Sequence, residues 1–383
     1  MVKRYVLLGG AAVLAALGAT SCAALVGLDQ PYTETGSGGA GAAGGSGGSG
    51  GTGAGSQSGG SGGTSGCVPA GVPDPPAVAD DGGDIDFVTA LRTINLDEKA
   101  SDVTLGLDLD GLCTCEANAP PSCTPLVELV CDGPGGIDNA VGILFAGVYD
   151  LSSGAITSGQ ISAAANKGQW TNLMRVRGYN GEPDDAKVEV MLYMTQGVSA
   201  GMPEPLWDGN DAWPVDDTSL ASAPDLDSAL IQSDDAYVSG GVLVARIANE
   251  RIRIRSTFMK MDLDLVDVVV RAKLEGSAAG YKLTDGVVAG RWPLTSAFPN
   301  LASIRYIGDQ KLCTGDSDYV AVKLTICGNA DLRQDGASGA CDMLSFGATF
   351  TADPAKLGGV VPAPGPPAEP CDPSEDPSTD SCE

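Results

Sequence analysis

Apolar and polar residues alternate with a period of two through most of the chain after residue 67. This period is typical of strands with one buried face, and the run at 187–194 has it most clearly. Runs of the same kind predict further strands at 87–96, 103–109, 143–149, 173–179, 241–247, 251–258, 263–273, 319–327 and 344–352. Only 160–167, which ends before Gly168, and 293–304 have the composition of short helices. We therefore predict an all-β fold, a β-sandwich or jelly-roll-like domain with few short helices, in keeping with 54 glycines and 24 prolines.

Ten cysteines follow residue 66, and their even number is a second constraint on the fold. In an exported chain such a set predicts up to five disulfides. The simplest pairing is local, within 113–131, within 313–341 and between the two ends of the domain. The alternative is a zinc site in the 113–131 group, although Cys113-Thr114-Cys115 lacks the C-x2-C spacing of zinc knuckles. The ten candidates are Cys67, Cys113, Cys115, Cys123, Cys131, Cys313, Cys327, Cys341, Cys371 and Cys382.

The N-terminus has the pattern of a secretory signal. Lys3 and Arg4 precede an apolar run, 5–17, which is too short for the roughly 20 residues that a membrane-spanning helix needs. The small residues that follow, Ala19-Thr20-Ser21-Cys22, resemble a bacterial lipobox. This resemblance implies that the thiol of Cys22 is acylated and that Cys22 becomes the first residue of the mature chain. The alternative is ordinary signal-peptidase cleavage, which would leave Cys22 unmodified.

A glycine-rich segment, 36–66, separates this cysteine from the predicted domain. It has 17 glycines in 31 residues, so it cannot bury a core and is expected to be a flexible tether. We divide the chain into a signal peptide at 1–21, lipidated Cys22 with its tether at 22–66, the all-β domain at 67–353 and a Pro-rich acidic tail at 354–383. Ala23, where enteric inner-membrane lipoproteins have aspartate, implies an outer-membrane anchor. The domain would then face the periplasm or the cell surface, with the bilayer as a partner.

The composition excludes several functions. The formal net charge is −27, which repels phosphate backbones, so no nucleic-acid partner is expected. The chain has no histidine, which excludes Ser-His-Asp and Cys-His catalysis and zinc held by histidine. A pair of carboxylates, as in glycoside hydrolysis, is the one catalytic option that remains, but nothing singles out a pair among 49 acidic residues. We therefore expect a protein that is not an enzyme.

Asp108 and Asp110 form the nearest approach to a metal motif. On a strand these two carboxylates would lie on the same face and could share a hard cation such as calcium. Asp138 and Asn139 would add ligands if their loop lies nearby. The motif lacks the full EF-hand pattern, and the alternative is an acidic strand end that leads into a turn. Calcium is the only cofactor that the sequence suggests.

Arg251, Arg253 and Arg255 alternate with isoleucines and would form a row on one face of a sheet. Such a row could bind an acidic polysaccharide or another anion. The next segment carries a matching set of carboxylates at Asp262, Asp264 and Asp267. A hairpin would bring the two rows together as cross-strand ion pairs, and this is the interpretation that we favour.

The segment 197–233 has no clear periodicity and contains two tryptophans. Trp207 and Trp213 flank Asp208 and Asp211, and aromatic faces beside carboxylates are typical of surfaces that bind glycans. The alternative is that the two indoles attach a long loop to the domain.

Short landmarks in the C-terminal third resemble uncharacterised lipoproteins of myxobacteria. They are Arg291-Trp292-Pro293, Cys341-Asp342 with Ser345-Phe346-Gly347, and Phe350-Thr351-Ala352. The resemblance supports a location and implies no activity. The sequence thus predicts a membrane-anchored lipoprotein of the cell envelope whose β-domain is a non-catalytic binding or structural module, directed to a glycan or an envelope protein. A glycan hydrolase that uses two carboxylates, or a purely structural envelope component, is the alternative.

Overall fold

A computed structural model describes residues 67–78, 82–98, 103–198, 203–255, 259–277, 280–306, 310–334, 339–365 and 370–382. The predicted signal peptide, Cys22 and the tether lie outside the described residues, so these remain predictions. Within the described ranges, no helix is both long enough and apolar enough to cross a membrane.

The described residues form ten strands and four α-helices. The strands are β1 (Ile85–Asn95), β2 (Thr171–Tyr179), β3 (Asp185–Thr195), β4 (Ala212–Asp216), β5 (Ile231–Ser239), β6 (Val242–Arg255), β7 (Met259–Ser277), β8 (Gly280–Pro293), β9 (Arg305–Tyr306) and β10 (Met343–Val361). The helices are α1 (Ala140–Leu151), α2 (Ser158–Asn166), α3 (Leu294–Ser303) and α4 (Ser317–Gly328).

Eight of the strands close into an antiparallel barrel in the order β1-β2-β3-β5-β6-β7-β8-β10. The barrel closes because β10, 19 residues long, pairs along one edge with β8 and along the other with β1. The register shifts between Phe350 and Ala352 against β8, and such irregularities help a long strand to bend. The predominantly β class is confirmed. The architecture, however, is one closed barrel and not the predicted sandwich or jelly roll. The sequence pattern could not separate these architectures, because strands alternate with a period of two in all of them.

The main core runs from the barrel interior to the four helices. It joins the inward residues of the strands to apolar residues of each helix, and Trp170, Trp292 and Tyr319 are fully buried in it. Two smaller cores lie on outer faces of the barrel. The segment that contains β4 packs over Leu173 and Met191, and the segment around Leu107 packs over β8. Several strands are therefore apolar on both faces where a segment covers them.

Some predicted elements differ from those observed. The segments 143–149 and 319–327 were predicted as strands and are the helices α1 and α4, because short apolar runs fit either structure. The segment 103–109 is irregular, with one isolated bridge at Leu107. β6 is a single strand where two were predicted. The predicted helices are confirmed as α2 and α3, and Gly168 after α2 has a left-handed φ of 75°.

All ten cysteines in the described residues form disulfides. The pairs are Cys67–Cys113, Cys115–Cys131, Cys123–Cys341, Cys313–Cys371 and Cys327–Cys382. The prediction of five disulfides is confirmed, and the zinc alternative is wrong because no free thiolate remains among these ten. The local pairing scheme is wrong except for Cys115–Cys131, because the fold brings together cysteines far apart in the chain.

The C-terminal tail is attached to the helices. β10 continues to Val361, beyond the predicted start of the tail at residue 354. Two disulfides then link the tail to the segment around α4. Asp380 adds an ion pair with Lys323 at 2.7 Å and accepts a hydrogen bond from the Tyr319 hydroxyl at 2.7 Å.

Candidate functional site

Three carboxylates meet at an acidic loop on the outer surface of the barrel. Asp108 and Asp110 lie in the irregular segment before Cys113, and Asp138 lies two residues before α1. One oxygen from each lies within 4.8 Å of the others. The structure therefore places Asp138 beside the two carboxylates predicted from the sequence. Asp138 was expected to add a ligand if its loop lies nearby, and it does.

Backbone pairing holds the two parts of the acidic loop together. The Asp138 N–H donates to the Leu107 carbonyl at 3.1 Å, which forms the isolated bridge between the two segments. Glycine is required where they touch. A Cβ at Gly136, where φ is 71°, would lie 2.3 Å from the Leu112 carbonyl oxygen. The disulfides Cys67–Cys113 and Cys115–Cys131 link the neighbouring chain on either side.

Each carboxylate uses one oxygen to accept a backbone N–H. Asp108 accepts from Gly111 at 2.6 Å, Asp110 from Leu112 at 2.9 Å and Asp138 from Leu109 at 2.7 Å. The first two bonds fix Asp108 and Asp110 in tight turns, and the third links Asp138 to the other segment of the loop. The second oxygen of Asp108 is buried and has no hydrogen-bond partner among the described residues.

Burial and mutual repulsion raise the pKa values of Asp108 and Asp138. Asp138 is 2% exposed, and its pKa is raised first by burial and then by the charge of Asp110. Burial also raises the pKa of Asp108, with a further contribution from Asp110. No Lys or Arg of the described residues forms an ion pair with any of the three. Oxygen ligands held close together without a cationic partner are the donor set that calcium takes.

Two further aspartates belong to this cluster and were not found from the sequence. Asp132 accepts the Thr114 N–H at 2.5 Å, and its pKa is raised mainly by burial. Asp331 accepts both the N–H and the hydroxyl of Ser345, and burial raises its pKa to about 7. Asp132-Gly133 is a recognisable turn signal, whereas nothing around Asp331 indicates that it approaches a loop 200 residues earlier.

The arginine row forms ion pairs, as favoured from the sequence. Arg251 lies opposite Asp264 and contacts it at 2.5 Å, and Arg255 contacts Asp262 at 2.7 Å. Arg253 lies opposite Asp262 but forms its closest ion pair with Asp216 of β4, and both of these side chains are buried. The row therefore joins β6 to β7 and to the segment that covers the barrel. The third predicted acid, Asp267, pairs instead with Arg291.

The two tryptophans of the long loop have different environments. The Trp213 ring is fully buried in a core on the outer face of the barrel, so it offers no face to a ligand. Its ring centroid lies 5.4 Å from that of Trp207, which is half-buried beneath the Arg92 guanidinium. The Asp211 carboxylate accepts the Leu206 and Trp207 N–H groups.

Only part of the predicted glycan surface is therefore accessible. Asp208 is exposed, and its carboxylate accepts the Asn210 N–H at 2.9 Å. Asp211 is occupied in shaping the loop, and Trp213 attaches it to the barrel, as the alternative interpretation required. Trp207 and Asp208 are the side chains of this set that a ligand would reach.

No protein-family model, curated protein or solved structure matches the chain.

Proposed function

We propose that this chain is a lipoprotein of the bacterial cell envelope, anchored in the outer membrane through acylated Cys22. Its barrel is a non-catalytic binding or structural domain that carries a calcium ion at Asp108, Asp110 and Asp138. The observation that supports the location best is the pairing of all ten cysteines after residue 66. Disulfides in this number persist in oxidising compartments and are rare in the cytosol. Cys22 is the eleventh cysteine and the one that the lipobox pattern singles out for acylation.

Three features support the calcium ion. The carboxylate oxygens approach within 4.8 Å, one buried oxygen of Asp108 has no hydrogen-bond partner in the described part of the chain, and the two nearby disulfides restrain the loop. Bringing ionised carboxylates together costs free energy, and a divalent cation offsets that cost. In this proposal calcium is structural: it fixes the acidic loop against the start of α1.

Cell fractionation of a Cys22→Ser variant tests the anchor. We expect wild-type protein in the outer-membrane fraction and the variant in the soluble envelope fraction, because an acylated cysteine is what holds the chain to the bilayer. A Ser21→Ala variant, which keeps a small residue before the cysteine, is the matched control and should remain with the membrane. Membrane retention of Cys22→Ser would contradict lipid anchoring.

Glycan binding is the finer part of the proposal, supported by the exposed Asp208 beside Trp207. A glycan array probed with the full-length protein, with calcium and then with chelator, tests it. A glycan surface at this loop is supported if the Trp207→Ala variant no longer binds. The Trp213→Phe variant, which changes a buried side chain, should still bind. Absence of binding under both conditions would favour an envelope protein as the partner, to be identified by cross-linking.

A further inference from the structure

The interior of the barrel contains a cavity that the proposed function does not use. Its volume open to water-sized molecules is about 50 Å³. Apolar side chains from strands around the barrel form most of its wall, among them Leu91, Ile252 and Phe350. Three polar residues on three different strands also line it: Thr89 of β1, Asn172 of β2 and Glu250 of β6.

Each of these three residues has a buried oxygen without a partner among the described residues. The atoms are the Thr89 hydroxyl, the Asn172 Oδ1 and the Glu250 Oε2. The Asn172 amide orientation is fixed, because its Nδ2 donates to the Arg253 carbonyl at 3.0 Å and a carbonyl only accepts. Its Oδ1 is therefore the free end. Buried polar atoms in native proteins are nearly always hydrogen-bonded, so three together indicate a missing partner.

The missing partner is a hydrogen-bond donor. Asn172 Oδ1 and an ionised Glu250 can only accept, and the Thr89 hydroxyl can accept as well. No Lys or Arg of the described residues pairs with Glu250. In the free protein, burial raises the pKa of Glu250 to about 8, so near neutral pH the carboxyl is mostly protonated. An incoming cation takes the place of that proton and forms an ion pair with the ionised carboxylate.

We propose that the barrel interior binds a short primary alkylammonium ion. A primary ammonium has three N–H donors, one for each of the three oxygens, and its alkyl chain fits the apolar wall. Since a water molecule needs about 10–15 Å³ measured in this way, 50 Å³ corresponds to a ligand of about four non-hydrogen atoms. The net charge of −27 raises the local concentration of cations around the domain.

Titration of the full-length protein with n-propylammonium chloride tests this proposal. We expect a saturable rise in the melting temperature, because a ligand that binds only the folded state stabilises it. Neutral 1-propanol and anionic propionate at the same concentrations should give no such rise. Glu250→Gln should weaken binding by about tenfold or more, and Thr89→Val by about five- to tenfold. Glu128→Gln, an exposed glutamate in another loop, should leave binding unchanged.

The wild type alone also gives an answer if Glu250→Gln does not fold. With methyl-labelled Leu and Ile, NMR should show contacts from the propyl protons to Leu192 and Ile252, which line the cavity. Absence of these contacts, or an equal temperature shift in the wild type and Glu250→Gln, would overturn the proposal. Either result would assign the three oxygens to ordered water.

Discussion

At the scale of single residues, burial decides what identical side chains do. Arg251 and Arg253 alternate on one strand, and each lies opposite an aspartate of β7. The Arg251 side chain is 50% exposed, whereas that of Arg253 is 6% exposed and its partner Asp216 is fully buried. The sequence predicted the pairing from the matching rows. It could not reveal that β4 covers one member, because this depends on a contact with a segment 37 residues away.

Arg253→Ala should lower the free energy of unfolding by about 3–5 kcal/mol, because it leaves Asp216 as a buried charge without a partner. Arg251→Ala, the matched control on the same strand, should cost no more than about 1 kcal/mol, as exposed ion pairs do. Urea denaturation of the two variants measures both values. Equal losses would mean that burial does not separate the two pairs.

Glu250 should make the protein less stable as the pH rises. Its pKa is about 8 in the folded barrel against an ordinary value of 4.5, so the folded state binds more protons between these values. The destabilisation is absent below pH 4.5 and grows until the pH passes about 8. Denaturation of wild type and Glu250→Gln from pH 4 to 9 should show the variant gaining stability relative to wild type as the pH rises. A constant difference between them would contradict the burial of an isolated acid.

At the scale of elements, the acidic loop was half predictable. Asp108 and Asp110 were found by their spacing, although on a turn and not on the expected strand. Asp138 joins them because it lies two residues before α1, a helix in which residues 143–149 were predicted to form a strand. An apolar run without charges, such as 143–149 within α1, gives no periodicity that separates a helix from a strand. The helix begins after Asn139, whose Oδ1 accepts the Gly142 N–H of the helix and also the Gly347 N–H of β10.

Asn139 connects two elements, so its loss should cost more than that of an ordinary helix cap. Its Oδ1 accepts the Gly142 N–H of α1 and the Gly347 N–H of β10. Asn139→Ala should therefore lower the free energy of unfolding by about 2–4 kcal/mol, the loss of a cap plus a buried N–H left without a partner. Thr157→Ala removes a cap from α2 alone and should cost about 1 kcal/mol. Similar losses in thermal or urea denaturation would show that the β10 contact adds nothing.

At the scale of the whole molecule, the strand content was predictable and the closure was not. The pairing of β1 with β10 joins residues more than 250 positions apart, and no local pattern encodes it. The disulfides behave in the same way: Cys123–Cys341 spans most of the domain. The period-two alternation predicted the fold class, and the absence of histidine excluded histidine chemistry. The N-terminal pattern and the cysteine count predicted the compartment. The barrel, its covered outer faces and its interior cavity follow from contacts between distant segments.

The melting temperature of the full-length protein in millimolar calcium and in chelator tests the proposed calcium site most directly. We predict a higher melting temperature in calcium, and a larger difference at pH 8 than at pH 5, because the raised pKa of Asp138 makes ionisation, and therefore binding, favour high pH. Asp138→Asn should abolish the difference in melting temperature between calcium and chelator. Asp208→Asn, in the loop that contains Trp207, should leave this difference unchanged. No shift with millimolar calcium, or an equal shift in Asp138→Asn, would contradict the calcium site.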